Sequence, residues 1–341
     1  MKCCANCIGD WHLRKNVFPN LAEEQGTCSF CESEDQHLVE PNKLFDAFGL
    51  IVGIYSPDDQ GKTLVEWFKH DWAMFQHEMM DIAHAKELLA EILDDGDIVR
   101  QRFVPSELGR SNTLAQWKIA REELMHKNRF FPETVLDFDR LTELLPYLLL
   151  DPADLPITWY RARIQESDVP FPAEQMGAPP GKRASQGRAN PAGIPYLYLA
   201  STADTAIAEI RPHTGEIASV AEVSVPSDLN IVDLRQPRVT VSPFWLPSEN
   251  EVALLRGDLE FLVDLGKELT RPVLPQAAAI DYIPSQYICE FIKNRGHDGV
   301  MYRSSVGDGV NIALFVPECA TVGRVSQHRV VRVSVEIKVI S

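Results

Sequence analysis

No run of apolar residues in this sequence is long enough to cross a bilayer. The longest, residues 144–150, is interrupted by Pro146 and falls far short of the roughly 20 residues that a spanning helix needs. No long apolar core follows the first lysine, so no signal peptide is expected, and the expected compartment is the cytoplasm. Positive charge is also scarce. The 33 Lys and Arg residues against 49 Asp and Glu give a formal net charge of −16 and a pI near 5.0, which argues against non-specific nucleic-acid binding. The balance of 45% hydrophobic and 24% charged residues is that of an ordinary soluble globular protein. At 341 residues the chain has room for two domains and a small appendage.

Two site patterns are present only in part. Gln60-Gly61-Lys62-Thr63 has the end of a phosphate-binding loop, but Ser56 stands where its first glycine belongs. His77-Glu78-Met79-Met80-Asp81 has Asp81 in the place of a zincin's second histidine. His84, seven residues on, reads with His77 as part of one solvated helix face.

Seven cysteines are few for a secreted scaffold, and five of them crowd into the first 31 residues. Cys4-x-x-Cys7 and Cys28-x-x-Cys31 are two tight turns, each pointing two thiolates at one ion, and together they suit a structural tetrahedral zinc ribbon over residues 1–45. Cys3 is a poorer alternative first ligand, and Cys289 and Cys319 sit among apolar neighbours as expected buried thiols.

Residues 46–150 are expected to form an α-helical domain. Helices are predicted from Thr63 to Met79, Ala83 to Leu93, Thr113 to Lys127 and Phe138 to Leu149, with Trp67, Trp72 and Trp117 in the core. Asp151-Pro152-Ala153-Asp154-Leu155-Pro156 reads as a linker, and a second, α+β domain is expected over 156–341. Its strands are predicted at Thr158–Ile164, Ile194–Ala200, Ile217–Val225, Asn230–Leu234, Gly299–Tyr302, Ile312–Val316 and Val330–Val339, with helices at Phe261–Lys267 and Tyr287–Lys293. The long Pro- and Gly-containing segment from Gln165 to Gly193 is expected to cover a site in part.

The stretch from Gly187 to His213 organises this half. A loop presents Arg188 and Asn190, an aromatic-biased strand carries Tyr196 and Tyr198, and Ser201 or Thr202 caps a helix with Asp204 in its first turn. That helix is mostly Ala and Ile, yet it carries Glu209. A carboxylate in an apolar helix is costly without a partner or a task, and a buried ion pair between Arg161 and Glu209 is one way to satisfy it.

The pattern Gly187-Arg188-x-Asn190-Pro191-x-Gly193, then Tyr196-Leu197-Tyr198, then Ala206-x-Ala208-Glu209 resembles the RES domain, a family named for an Arg, a Glu and a Ser. Arg161, in Trp159-Tyr160-Arg161-Ala162-Arg163, matches the arginine. Ser304 matches the serine, in Asp298-Gly299-Val300-Met301-Tyr302-Arg303-Ser304-Ser305, with Ser305 one register away. The resemblance implies an ADP-ribosyltransferase-like α+β fold and a toxin or effector that acts on NAD+ by breaking the nicotinamide–ribose bond. The acceptor can be water, inorganic phosphate or, for an ADP-ribosyltransferase, a protein.

On that basis Arg161 and Arg188 are candidates for holding the pyrophosphate or an incoming phosphate. Tyr198 is expected to stack on nicotinamide and offer its hydroxyl, and Glu209 to bind a ribose hydroxyl and stabilise the developing cation. Ser304 is expected at the ribose or the amide, with Asn190, Ser305 and Asn311 in supporting cofactor contacts. The resemblance also implies an antitoxin or other regulatory protein as partner and a homo-oligomer, as in toxin–antitoxin or antiphage systems. The helical segment is similar to HEPN domains, whose ribonucleases carry an Arg and a His at the spacing of Arg121 and His126. That spacing is common by chance, and Glu122 and Glu123 beside it suit a solvated face. A non-enzymatic nucleotide sensor is the remaining alternative.

Overall fold

In the computed structural model, residues 1–134, 136–334 and 337 are described. They cluster into two compact units, one of Met1–Trp117 with Gln236–Val263, the other of Lys118–Arg235 with Asp264–Ser341. This division differs from the three expected segments. The ribbon and the helices as far as Trp117 share a unit with residues 236–263, and residues 118–150 cluster with the sheet domain.

In the first unit, Thr63 and Glu66 form a reciprocal capping box that starts the helix Leu64–Trp72. The helix stops there, short of the predicted Met79, because Ala73 adopts a left-handed conformation with φ of 50°. The following helix, Ile82–Leu93, is capped by Asp81, whose carboxylate accepts from the amides of Ala83 and His84. His77 therefore lies outside that helix, and His77 and His84 do not share a helical face. The strand Tyr55–Lys62 pairs with Phe103–Pro105, so the segment expected to be helical also holds a hairpin-like sheet. Trp72 and Trp117 are buried as expected; Trp67 is half-buried and donates its indole N–H to the Phe103 carbonyl at 2.7 Å.

The second unit is built on a seven-stranded sheet. Its strands are β1 (Thr158–Ile164), β2 (Leu197–Ala200), β3 (Ile217–Ser224), β4 (Ile231–Asp233), β5 (Gly299–Arg303), β6 (Val310–Leu314) and β7 (Thr321–Arg329). The spatial order is β7-β3-β1-β2-β6-β5-β4, antiparallel throughout except for β4 beside β5. The last strand is earlier than predicted. Residues 330–334 form no strand, and residues 335, 336, 338 and 339 of the predicted one lie outside the described residues.

Alternation along these strands separates two faces. Trp159, Leu197, Leu199, Ala221, Val223, Met301, Ile312 and Leu314 form the main core on one face. On the other, Ala162, Ala200, Val220 and Ala206 pack tightly, small residues that let helix α1 (Ala203–Glu209) lie close to the sheet. Thr202, not Ser201, caps α1 by accepting from Thr205 N at 3.1 Å. Ser201 instead accepts from Val310 N. Helix α2 (Ile283–Asn294) sends Ser285 and Gln286 to the loop at 187–188. No helix among the described residues is long and apolar enough to cross a membrane.

Candidate active site

Strands β1 and β2 share a single paired position, Tyr160 with Ala200. A cleft of about 280 Å³ opens at this seam. It is lined by the consecutive residues Tyr160, Arg161 and Ala162 from one strand and Tyr198, Leu199 and Ala200 from the other, with Gly187, Arg188, Glu209, Tyr282, Tyr302 and Asn311 around them. Consecutive residues point to opposite faces of a strand, so both faces reach the cleft where the strands part.

Glu209 ends α1. Ser304 Oγ donates to its Oε1 at 2.7 Å and Asn311 Nδ2 donates to the same oxygen at 2.6 Å. The serine hydroxyl also accepts from the amides of Val306 and Gly307. Both of its acceptor sites are thereby used, and its proton is left to point at the carboxylate. Among the described residues, Oε2 of Glu209 receives no hydrogen bond.

Arg161 is the counterpart of this carboxylate but does not pair with it. Among the described residues it forms no ion pair, and its Nη1 is buried with no acceptor. The buried Arg161–Glu209 ion pair that the sequence allowed is therefore not formed. Burial, with Arg163 adding repulsion, lowers the Arg161 pKa to about 10. Arg161 is half-buried as a residue, but a buried guanidinium nitrogen without an acceptor is destabilising, and an anion in the cleft would offset this.

Arg188 is 9% exposed and held by neutral partners. Nη1 donates to the Arg271 carbonyl at 2.6 Å and Nη2 to Ser305 Oγ at 2.9 Å, and the guanidinium lies over the Tyr282 ring. The two adjacent serines thus divide their tasks, Ser304 serving Glu209 and Ser305 serving Arg188.

Tyr198 lines the cleft with its ring, but its hydroxyl is committed elsewhere. It accepts from the amides of Ala189 (2.9 Å) and Asn190 (3.2 Å) and donates to Asn190 Oδ1 at 2.7 Å. The hydroxyl braces the arginine loop and is not available as a handle for a ligand. Burial raises its pKa. Asn190, expected among the cofactor contacts, does not line the cleft. Its amide donates to the carbonyls of Ser185, Pro191 and Ile194, which folds the loop on itself. Gly187 is required by the same packing, since a Cβ there would lie 2.5 Å from both Asn190 Oδ1 and Tyr198 Oη.

Tyr160, Tyr282 and Tyr302 are cleft residues that the sequence reading passes over. Tyr160 and Tyr302 stand inside motifs already noted. Tyr282 carries no local signal, because its place follows from the packing of α2. Burial raises the Tyr302 pKa well above the ordinary phenol range.

A separate site lies in the first unit. The sulfurs of Cys4, Cys7, Cys28 and Cys31 all lie within 4.8 Å of one another and are buried. Cys4 to Cys31 is 3.4 Å and Cys7 to Cys28 is 3.3 Å. Four sulfurs about 2.3 Å from one tetrahedral ion would stand about 3.8 Å apart, so this donor set fits a metal ion. Cys3 is outside the cluster and bridges to Val39 instead. Arg121 and His126, the HEPN-like pair, do not form a site. Arg121 is bound to Glu268 at 2.7 Å and to Glu122 at 3.0 Å, while His126 is exposed beside Glu122.

The cleft offers positive charge beside a fixed carboxylate. The RES domain family matches residues 158–334, and with more than half of its length matched the chain belongs to the RES-domain family. The match spans Arg161, Arg188, Glu209, Ser304 and Asn311. Among solved structures, the chain is similar to one described as the crystal structure of the M. tuberculosis MbcT–MbcA toxin–antitoxin complex. The TM-score is 0.33 at 15% identity, over 55% of this chain and 92% of that one. No curated protein matches the chain.

Proposed function

We propose that this cleft binds NAD+ and breaks its nicotinamide–ribose bond, and that the chain acts as a toxin or effector by this route. The observation that supports the reading is one cleft holding Arg161, with a buried nitrogen lacking an acceptor, and Glu209, with one oxygen held by Ser304 and Asn311 and the other free of protein donors. A dinucleotide complements both, with pyrophosphate oxygens for the guanidinium and ribose hydroxyls for the carboxylate. In the reaction the electron pair of the bond from the ribose C1′ leaves with nicotinamide, and positive charge gathers on the ribose as in glycoside cleavage. A carboxylate already fixed by two hydrogen bonds stabilises that charge without reorganising. Water, giving up a proton to solvent, or an oxygen of inorganic phosphate then bonds to C1′, releasing ADP-ribose or its phosphate ester. In the same proposal, Cys4, Cys7, Cys28 and Cys31 hold a structural zinc ion, which takes no part in the chemistry. A chain that drains NAD+ has to be restrained, and an antitoxin-like protein partner is the restraint we propose.

The test is to follow NAD+, nicotinamide and ADP-ribose with purified protein, with and without inorganic phosphate, for the wild type and Glu209→Gln. Glu209-dependent release of nicotinamide supports the reading, and a requirement for phosphate separates phosphorolysis from hydrolysis. Nicotinamide release that survives Glu209→Gln would overturn the assignment of Glu209, and a wild type inert toward NAD+ even when freed of copurifying protein would overturn the reading.

A further inference from the structure

The arginine at 121 has a role that the HEPN-like pattern does not suggest. Its Nε donates to Glu268 Oε1 at 2.7 Å, and Arg271 Nη2 donates to the same oxygen at 3.0 Å. The Glu268 side chain is 2% exposed, and its other oxygen is buried without a partner. Burial, with Asp264 adding repulsion, raises its pKa above the ordinary carboxylate value, although the two guanidiniums act in the opposite direction. Arg271 follows the helix Glu249–Thr270, so its carbonyl lies beyond the helix, where it receives Arg188 Nη1 at 2.6 Å. A continuous set of bonds therefore runs from Arg121 through Glu268 to Arg271, and from the Arg271 backbone to a guanidinium that lines the cleft.

We propose that Glu268, clamped between Arg121 and Arg271, is a positioning residue for the cleft: it fixes the Arg271 carbonyl and through it the direction of Arg188. Two features of the geometry support this. The Arg271 amide donates to the Lys267 carbonyl at 2.8 Å, and its side chain, bound to Glu268, holds the residue from a second side, which fixes the direction of its carbonyl. Among the described residues the Arg188 guanidinium has two hydrogen-bonding partners, the Arg271 carbonyl and Ser305 Oγ, so loss of one leaves it to swing about the other. The clamp also accounts for a cost that stability alone does not explain, a buried carboxylate with one oxygen lacking a partner among the described residues.

The consequence for catalysis rests on the NAD+ reading above, so the decisive readout does not use NAD+. Arginine side-chain nitrogen–proton NMR spectra of the full chain, with the Arg188 signals assigned through Arg188→Lys, report whether the guanidinium is held. We expect separate, slowly averaging Arg188 Nη signals in the wild type. Those signals should merge in Glu268→Ala and in the double variant Arg121→Leu/Glu268→Leu, which leaves fewer unpaired charges if the single variant fails to fold. Arg121→Lys keeps the charge at 121 and should restore part of the separation. Arg188 signals unchanged in a folded clamp variant would overturn the proposal, whatever the activity. If NAD+ is the substrate, the same variants should raise KM about tenfold with little change in kcat, as expected when a charge-assisted contact to bound substrate is weakened. A wild type inert toward NAD+ would count against the functional reading alone, because the spectra test the clamp independently.

Discussion

Ser304 donates its hydroxyl proton to Glu209 Oε1 at 2.7 Å while accepting two backbone amides of its own turn. The bond joins the β5–β6 turn to the end of α1, so the carboxylate that the cleft presents is set by two segments about a hundred residues apart in sequence. Asn311 adds a second donor to the same oxygen from β6. The carboxylate is thus held through Oε1 by two donors where Glu209 lines the cleft.

If NAD+ is the substrate as proposed, Ser304→Ala should lower its turnover by about ten- to a hundredfold, the effect of losing one hydrogen bond to a charged group, with KM little changed. Ser305→Ala removes one of the two hydrogen-bonding partners of Arg188 found among the described residues and should act mainly on KM. Steady-state kinetics of the two variants side by side checks this. Indistinguishable profiles would contradict the division of tasks between the neighbouring serines.

Gly187→Ala and Tyr198→Phe test the brace under the arginine loop. The added methyl meets Asn190 Oδ1 and Tyr198 Oη at 2.5 Å, an overpacking that costs about 1–3 kcal/mol. Removal of the phenol leaves the amides of Ala189 and Asn190 without their acceptor, a loss of about 1–3 kcal/mol. Urea denaturation should show both changes. A Tyr198→Phe variant as stable as the wild type but inactive would instead assign that hydroxyl to the ligand.

Much of this site is legible in the sequence because its determinants are short and local. Arg161, Glu209 and Ser304 stand in motifs that also predict the strand, the capped helix and the turn carrying them, and β1 matches its expected bounds, Thr158–Ile164. What is not legible depends on packing between distant segments. The alternation of Tyr196 and Tyr198 shows that they face opposite ways, but not that the Tyr198 hydroxyl is used by the backbone of a loop eight residues earlier. Tyr282 reaches the cleft only through the placement of α2. Residues 236–263 cluster with the N-terminal unit, a long-range arrangement that composition and periodicity do not encode. The Cys4, Cys7, Cys28 and Cys31 set, in contrast, is readable from spacing, since a Cys-x-x-Cys turn brings its two sulfurs together by local geometry.

That cysteine set predicts one zinc ion per chain, measurable by elemental analysis of protein purified without added metal. Cys31→Ser should lose the metal, and a chelator should lower the thermal midpoint of the wild type while leaving that of the variant unchanged. A metal-free wild type with the same midpoint would remove zinc from the account. Because the four sulfurs are buried together, no exchangeable position faces solvent, and the activity of metal-loaded protein should not vary with zinc concentration.

Arg161 gives the prediction with the clearest sign. Its pKa falls from the ordinary guanidinium range to about 10 in the fold, so above about 10 the unfolded chain binds more protons and stability rises with pH. Below about 10 the guanidinium stays charged, with its buried Nη1 lacking an acceptor among the described residues, and the fold is less stable for it. Arg161→Met, similar in length and neutral, should therefore make the ligand-free protein more stable at pH 7 by about 1–3 kcal/mol, as when a buried charge gives way to an apolar side chain. The same change should abolish binding of NAD+ or ADP-ribose, because the anion loses its partner. In the wild type, affinity for either ligand should fall as the pH rises through about 10, while the Met variant shows no such dependence. Urea denaturation and calorimetric titration from pH 7 to 10.5 measure both effects. A variant that loses stability along with binding would show that Arg161 supports the fold and not the ligand, whereas stability gained as affinity is lost would identify a residue kept charged for the anion it receives.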